Sequence, residues 1–171
     1  GIYKSADNGL TWAKCKDITF SSLSFFGQVG YFKKDGYVYM IGSQTGRDSN
    51  AKLARFHETD IENKTAYEYW NASTNQWIKG NENEATVLIE DKVGELSFIY
   101  NETHKKWIIA YFNADRYNIT MRTAEDITGP WSEPYELANG REYAQLYGSY
   151  IHPLSVTGDN LYFTMSMWMP Y

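Results

Sequence analysis

Glu95 is the residue whose type and setting point most directly to chemistry. It opens the apolar run Val93-Gly94-Glu95-Leu96-Ser97-Phe98-Ile99-Tyr100, bounded by the charged turn Glu90-Asp91-Lys92 and the polar turn Asn101-Glu102-Thr103-His104. As a strand, this run places Glu95, Ser97 and Ile99 on one face and Leu96, Phe98 and Tyr100 on the other. A carboxylate at the head of such a strand is costly to bury without a partner or a role. It is therefore an arginine's partner, an exposed strand end, or a site residue. Arg47 and Arg116 lie in polar stretches that follow apolar runs, and each could pair with it. His152, ahead of Pro153, is a further polar candidate. Tyr147 and Trp168 carry flat rings suited either to core packing or to stacking on a ligand. Asp48 and Asp115 are acids that shape turns.

The elements that position these residues are strands. Helical periodicity is absent, and short apolar-aromatic runs are broken by Gly, Asn, Asp and Lys, the pattern of an all-β protein rich in hairpins. A degenerate repeat is present. Its first halves are Phe26–Ile41, Gly94–Phe112 and Tyr147–Met165, each a hairpin opening with Gly near its start. Gln28, Glu95 and Ser149 occupy matching positions in the three. Second halves follow, with Ala51–Phe56 leading to Tyr67–Trp70 and Ile119–Ala124 leading to Tyr135–Leu137. Four strands per unit predict the blades of a β-propeller. The expected division is a half blade at 1–20, blades at 25–78 and 93–138, and a half blade at 147–171, one partial propeller domain of about three blades' worth.

Ser5-Ala6-Asp7-Asn8-Gly9-Leu10-Thr11-Trp12 fits the pattern Ser-x-Asp-x-Gly-x-Thr-Trp, the Asp-box. Asp7 is expected to bond the N–H groups of its own turn, Gly9 to take a positive φ, and Trp12 to pack under the hairpin. The role is structural, so Asp7 is not a catalytic candidate. The box resembles the repeat of sialidases and other glycan-handling propellers.

A wider resemblance runs through Gly27-Gln28-Val29, Gly46-Arg47, Leu53-Ala54-Arg55, Gly94-Glu95-Leu96-Ser97, Met121-Arg122-Thr123-Ala124, Thr128-Gly129-Pro130-Trp131, Tyr147-Gly148 and Ile151-His152-Pro153, in this order. It resembles the C-terminal part of a bacterial domain-of-unknown-function family of five-bladed propellers that includes endo-D-arabinanases. The resemblance covers essentially the whole chain and implies that about two N-terminal blades are absent from it. It implies a glycoside-hydrolase-like propeller acting on extracellular polysaccharide, with arabinan-type furanoside linkages foremost. The alternative is a non-catalytic, lectin-like propeller. By the same resemblance Glu95 faces the central cavity as general acid, and the partner carboxylate lies on the missing blades, with Asp48 and Asp115 as the weaker local alternatives. Gln28, Arg47, Arg116, His152, Tyr147 and Trp168 are then the substrate-binding candidates.

Composition bounds the partners. A formal net charge of −5 gives no electrostatic case for nucleic acid or an anionic membrane. Aromatics are abundant, with 15 Tyr, 8 Phe and 6 Trp, which suits both strands and sugar-stacking surfaces. The single Cys15 excludes an internal disulfide and a cysteine-based zinc site, and no metal-ligand spacing or cofactor motif is present. No cofactor and no metal are expected; the expected partner is a carbohydrate. Open propeller ends make self-association a further expectation. No apolar run approaches a membrane span. The opening Gly1-Ile2-Tyr3-Lys4 reads as a strand and not as a signal peptide, and the expected location is extracellular or in the cell envelope. The sequons beginning at Asn63, Asn71, Asn101 and Asn118 read as chance in an Asn-rich bacterial chain.

Overall fold

The computed structural model describes residues 1–169. Pro170 and Tyr171, the end of the last expected half blade, lie outside the described residues. The chain is all-β. In order the strands are β1 (Tyr3–Lys4), β2 (Ala13–Lys14), β3 (Gln28–Lys34), β4 (Tyr37–Ser43), β5 (Ala51–His57), β6 (Glu68–Asn71), β7 (Gln76–Lys79), β8 (Val87–Ile89), β9 (Val93–Asn101), β10 (Lys106–Asn113), β11 (Asn118–Ala124), β12 (Tyr135–Asn139), β13 (Leu146–Ile151) and β14 (Phe163–Met167). All pairings are antiparallel.

Turn chemistry explains the hairpins. β3 and β4 are joined at Asp35-Gly36, whose φ values of 51° and 79° match the strand twist of a two-residue hairpin. Three other hairpins use one device. Asn71, Asn101 and Asn113 end their strands and accept, through Oδ1, the N–H three residues on, from Thr74, His104 and Arg116. The next residue in each case, Asn75, Lys105 or Tyr117, has φ near +50° and turns the chain back. In the N-terminal turn Asp7 accepts from the Thr11 N–H at 2.8 Å and from the Thr11 hydroxyl at 2.6 Å, and Gly9 has φ +90°. Trp12 departs from expectation. It is 64% exposed, with Nε1 donating to the Gly9 carbonyl, so its ring covers the turn from outside.

Among the described residues there are four sheets. β1 pairs with β2. The first large sheet runs β3-β4-β5-β6-β7, with β8 also on β5. It continues through Ile89 and so exceeds the four strands expected at 25–78. The reason lies in β5: β6 pairs only with Ala54 and Arg55, and β8 takes the remaining edge at Ala51 and Lys52. The second sheet is the meander β9-β10-β11-β12, and the third is β13-β14.

The sheets stack face to face. Ile41, Leu53, Trp70 and Ile89 of the first pack on Phe98, Trp107, Ile109 and Tyr111 of the second. The opposite face of the first sheet buries Met40, Phe56, Tyr67 and Tyr69 against Ile2, Cys15 and Ile18. The opposite face of the second buries Phe112 and Ile119 against Leu146, and Ile99 and Ala110 against Ile151. The inner edge strands β3, β9 and β13 thereby lie side by side, which is the arrangement of a partial β-propeller. Gly30 of β3 allows the first contact: a Cβ there would lie 2.9 Å from Leu96 Cδ1.

Candidate functional site

β9 lies between β3 and β13 and presents a different face to each. Leu96 and Phe98 meet Gly30 and Phe32 of β3, as the alternation requires. Glu95, Ser97 and Ile99 face β13. Ser97 Oγ accepts the Ile151 N–H at 2.8 Å, and a Cβ on Gly148 would lie 3.3 Å from Glu95 Cβ. Glu95 therefore sits in the crevice between the second and third inner strands and does not point freely into a central cavity. This is a correction of the expected orientation. Its cause is the close approach of Gly148, which sets β13 against the base of the Glu95 side chain.

Arg47 pairs with it. Nη2 donates to Glu95 Oε1 at 2.8 Å, and both side chains are about one third exposed, 29% and 31%. The guanidinium is held between aromatic contacts, its carbon 4.4 Å from the ring centre of Phe112 and 4.4 Å from that of Tyr147. Cation–π contact with two rings restrains the guanidinium, whose N–H groups are the donors it can offer to a ligand. Gln28 of β3 holds β9 from the side opposite the crevice. With its amide oriented by its neighbours, nitrogen toward the Gly46 carbonyl and oxygen toward the Glu95 N–H, it donates to the former at 3.1 Å and accepts from the latter at 3.0 Å. Glu95 Oε2 is buried and has no hydrogen-bond partner among the described residues.

Beside the pair is a cavity of about 300 Å³ lined by Arg47, Tyr117, Gln145, Leu146, Tyr147 and Trp168. Trp168 is held to this rim by its N–H bond to the Gln145 carbonyl at 2.8 Å. A larger cavity, about 410 Å³, lies between the inner strands around Val29, Leu96, Phe98 and Ile151. Its wall is mainly apolar and offers no charged group.

Thus Gln28, Arg47, Glu95, Tyr147 and Trp168 come together at one end of the inner strands. Two expected members do not. Arg116 turns away to Asp91. His152 is exposed, four residues beyond Gly148 and so roughly 13 Å along the strand. Its Nδ1 accepts from Leu154 N–H and caps the turn Pro153–Val156. Asp48 is exposed, and Asp115 pairs with Lys92 at 2.8 Å. Among the described residues no group of three or more His, Cys, Asp or Glu is placed to hold a metal.

Asp91 escaped the sequence reading, which placed it in a charged turn. Its side chain is only 8% exposed. It accepts from Tyr111 Oη at 2.8 Å, from Arg122 Nη2 at 3.4 Å, and from Asn113 Nδ2 and Arg116 Nη2. Burial raises the Asp91 carboxyl, and the bonds from Tyr111, Arg116 and Asn113 more than offset it, leaving the group below the usual carboxylate range. Burial likewise pushes Tyr111 up to about 12. Only the apolar flank at Val93 could have hinted that this turn is covered.

Residues 1–171 match the family described as domain of unknown function, DUF4185. The chain belongs to the DUF4185 family. Among its relatives is notoamide biosynthesis cluster protein J of Aspergillus sp. (strain MF297-2), 31% identical over 150 residues, 82% of this chain and 39% of that protein. An uncharacterised 35.9 kDa protein of Mycolicibacterium smegmatis is 29% identical over 149 residues, 78% of this chain and 43% of that protein. The DUF4185 chain thus spans about two fifths of the length of these relatives, which come from a fungus as well as a bacterium. A solved structure from Bacteroides ovatus ATCC 8483, provisionally assigned as a hydrolase, shares the fold: TM-score 0.52, 15% identity, 73% of this chain and 35% of that one.

Proposed function

We propose that this chain is the glycan-binding sector of a carbohydrate-active propeller, and that its ligand is an arabinan-type furanoside polysaccharide outside the cell or in its envelope. The observation that carries the reading is Arg47, in cation–π contact with Phe112 and Tyr147 and paired with Glu95, beside the Tyr147–Trp168 cavity. The charge of Arg47 is balanced by Glu95, so the site suits neutral hydroxyls more than an anion. In-plane guanidinium donors match vicinal sugar hydroxyls, and exposed rings match sugar faces. The resemblance to a family that includes endo-D-arabinanases, and the provisional hydrolase assignment of the Bacteroides protein, support the carbohydrate class.

The test is calorimetric titration with arabinofuranosyl oligosaccharides. Arg47→Ala and Trp168→Ala are each expected to weaken binding about tenfold, the loss of roughly 1.4 kcal/mol of contact. Binding that is absent from the native chain, or unaffected by both substitutions, removes the reading.

Hydrolysis is the second reading, supported by the resemblance and by Glu95 being an unrepeated acid on a repeated scaffold. A general acid must carry a proton, whereas a carboxylate paired with Arg47 is an acceptor. A ligand would therefore have to draw Arg47 away first, and a second carboxylate is also required. In a full-length relative, the substitution equivalent to Glu95→Gln is expected to lower turnover roughly 10²–10⁴-fold with binding kept, if Glu95 is the acid. Turnover unchanged from the native enzyme on both polymer and activated aryl glycoside excludes that role.

A further inference from the structure

We propose that Asp91 is the positioning residue of this site: it clamps, from behind, the two segments that carry Arg47 and Glu95. The inference rests on the proposed glycan site for its functional consequence, but the clamp itself does not. Asp91 lies four residues before Glu95, in the turn that leads into β9. Its carboxylate is fixed on the second sheet by Tyr111 and Asn113 of β10 and by Arg116 and Arg122 around β11. Its own N–H donates to Asn50 Oδ1 at 3.1 Å, and Val93 N–H donates to the Ser49 carbonyl at 3.0 Å. Ser49 Oγ in turn accepts the Gln44 N–H at 2.9 Å, closing the loop 44–50 on itself. That loop carries Arg47.

The side chain of Arg47 then crosses Gly94, where a Cβ would lie 3.1 Å from Arg47 Cγ. One buried carboxylate thereby sets the start of β9 and the loop from β4 to β5 against a common frame. The two ends of the Arg47–Glu95 pair come from residues 48 apart. A long, flexible arginine needs such support if its in-plane N–H groups are to meet a ligand without an ordering cost. A carboxylate with four side-chain donors is a rigid anchor.

The first test needs no ligand. Amide hydrogen exchange is measured on the native chain, on Asp91→Asn and on Asn50→Ala, which cuts only the bond to the Asp91 backbone. Val93 and Gln44 amides are expected to exchange about tenfold faster in both variants, with Ile109 and Tyr111 on β10 unchanged. Unchanged exchange at Val93 and Gln44, or a uniform acceleration across the chain, overturns the clamp. Should Asp91→Asn fail to fold, Asn50→Ala decides alone.

The second test is a double-mutant cycle on arabinofuranosyl oligosaccharide affinity. Asp91→Asn is expected to weaken binding severalfold, and to have no further effect in an Arg47→Ala background. Additive losses overturn the route through Arg47. If the native chain binds no oligosaccharide, the glycan reading fails, and the exchange result still settles the clamp.

Discussion

Glu95 and Asp91 show how environment assigns different work to two carboxylates four residues apart. Glu95 has one arginine, a share of solvent and one idle oxygen; Asp91 has four side-chain donors and almost no solvent. Asp7 is a third case, half-buried in its own surface turn. Its carboxyl is drawn down from 3.8 to about 2, first by the Thr11 hydroxyl, then by the Thr11 N–H and the Ser5 hydroxyl. The sign follows from linkage: a lowered folded value means the contribution is present above pH 3.8 and is lost as pH falls through about 2. Asp91 contributes in the same direction. In a carboxyl NMR titration Asp7 is therefore expected to titrate near 2, and Thr11→Val to return it toward 3.8. A native Asp7 titrating at the ordinary value contradicts the hydrogen bonds described for the turn.

The recurring element is the hairpin closed by a strand-ending Asn. Asn101 does most beyond its own turn, since Nδ2 also donates to the carbonyls of Ser155 at 2.8 Å and Gly158 at 3.1 Å. It thereby fastens the second sheet to the lower end of the third hairpin, while Glu95 and Ser97 meet β13 further up. Its side chain is buried, so Asn101→Ala leaves one N–H and two carbonyls short of partners. The expected loss is about 2–3 kcal/mol, read from a denaturant midpoint at unchanged slope. A loss under about 0.5 kcal/mol, the range of ordinary surface changes, would mean that these bonds are replaced by water. Asn101 and Asn118 also begin sequons, and burial of both side chains closes them to glycosylation in the folded chain.

At the scale of the molecule, the stack of sheets is unequally covered. β9–β12 is sandwiched on both faces, whereas β13–β14 turns Tyr150, Met167, Trp168 and Met169 outward, the first two 57% and 53% exposed. Among the described residues β14 pairs only with β13. Exposed apolar groups on a two-stranded sheet with an open edge favour association. Light scattering of this chain is expected to show dimers or larger species, reduced by Tyr150→Lys with Met167→Lys. A monomer at every concentration tested would show that this face needs no cover. Of these exposed groups, Trp168 also lines the Tyr147 cavity.

What could be known from the sequence was local. Period-two alternation placed Glu95 and Ser97 opposite Leu96 and Phe98, because a side chain's face in a strand depends only on its neighbours. Asp35-Gly36 and Asp7 to Thr11 set their own turns for the same reason, and the repeated hairpins made the propeller class legible. What the tertiary structure decided was which distant groups meet. Glu95 had two candidate arginines, and the choice of Arg47 over Arg116 depends on how loop 44–50 is anchored, which no local pattern encodes. Asp91 looked solvated, since its donors stand on β10, β11 and the loop between them. His152 shared a run with Gly148 but lies at the other end of β13, because extended chain separates residues only four apart by more than a sugar ring's width. β8 joined β5 because β6 left half an edge unpaired. Each of these is a long-range pairing, settled by the requirement that buried polar groups and strand edges find partners once the sheets are stacked.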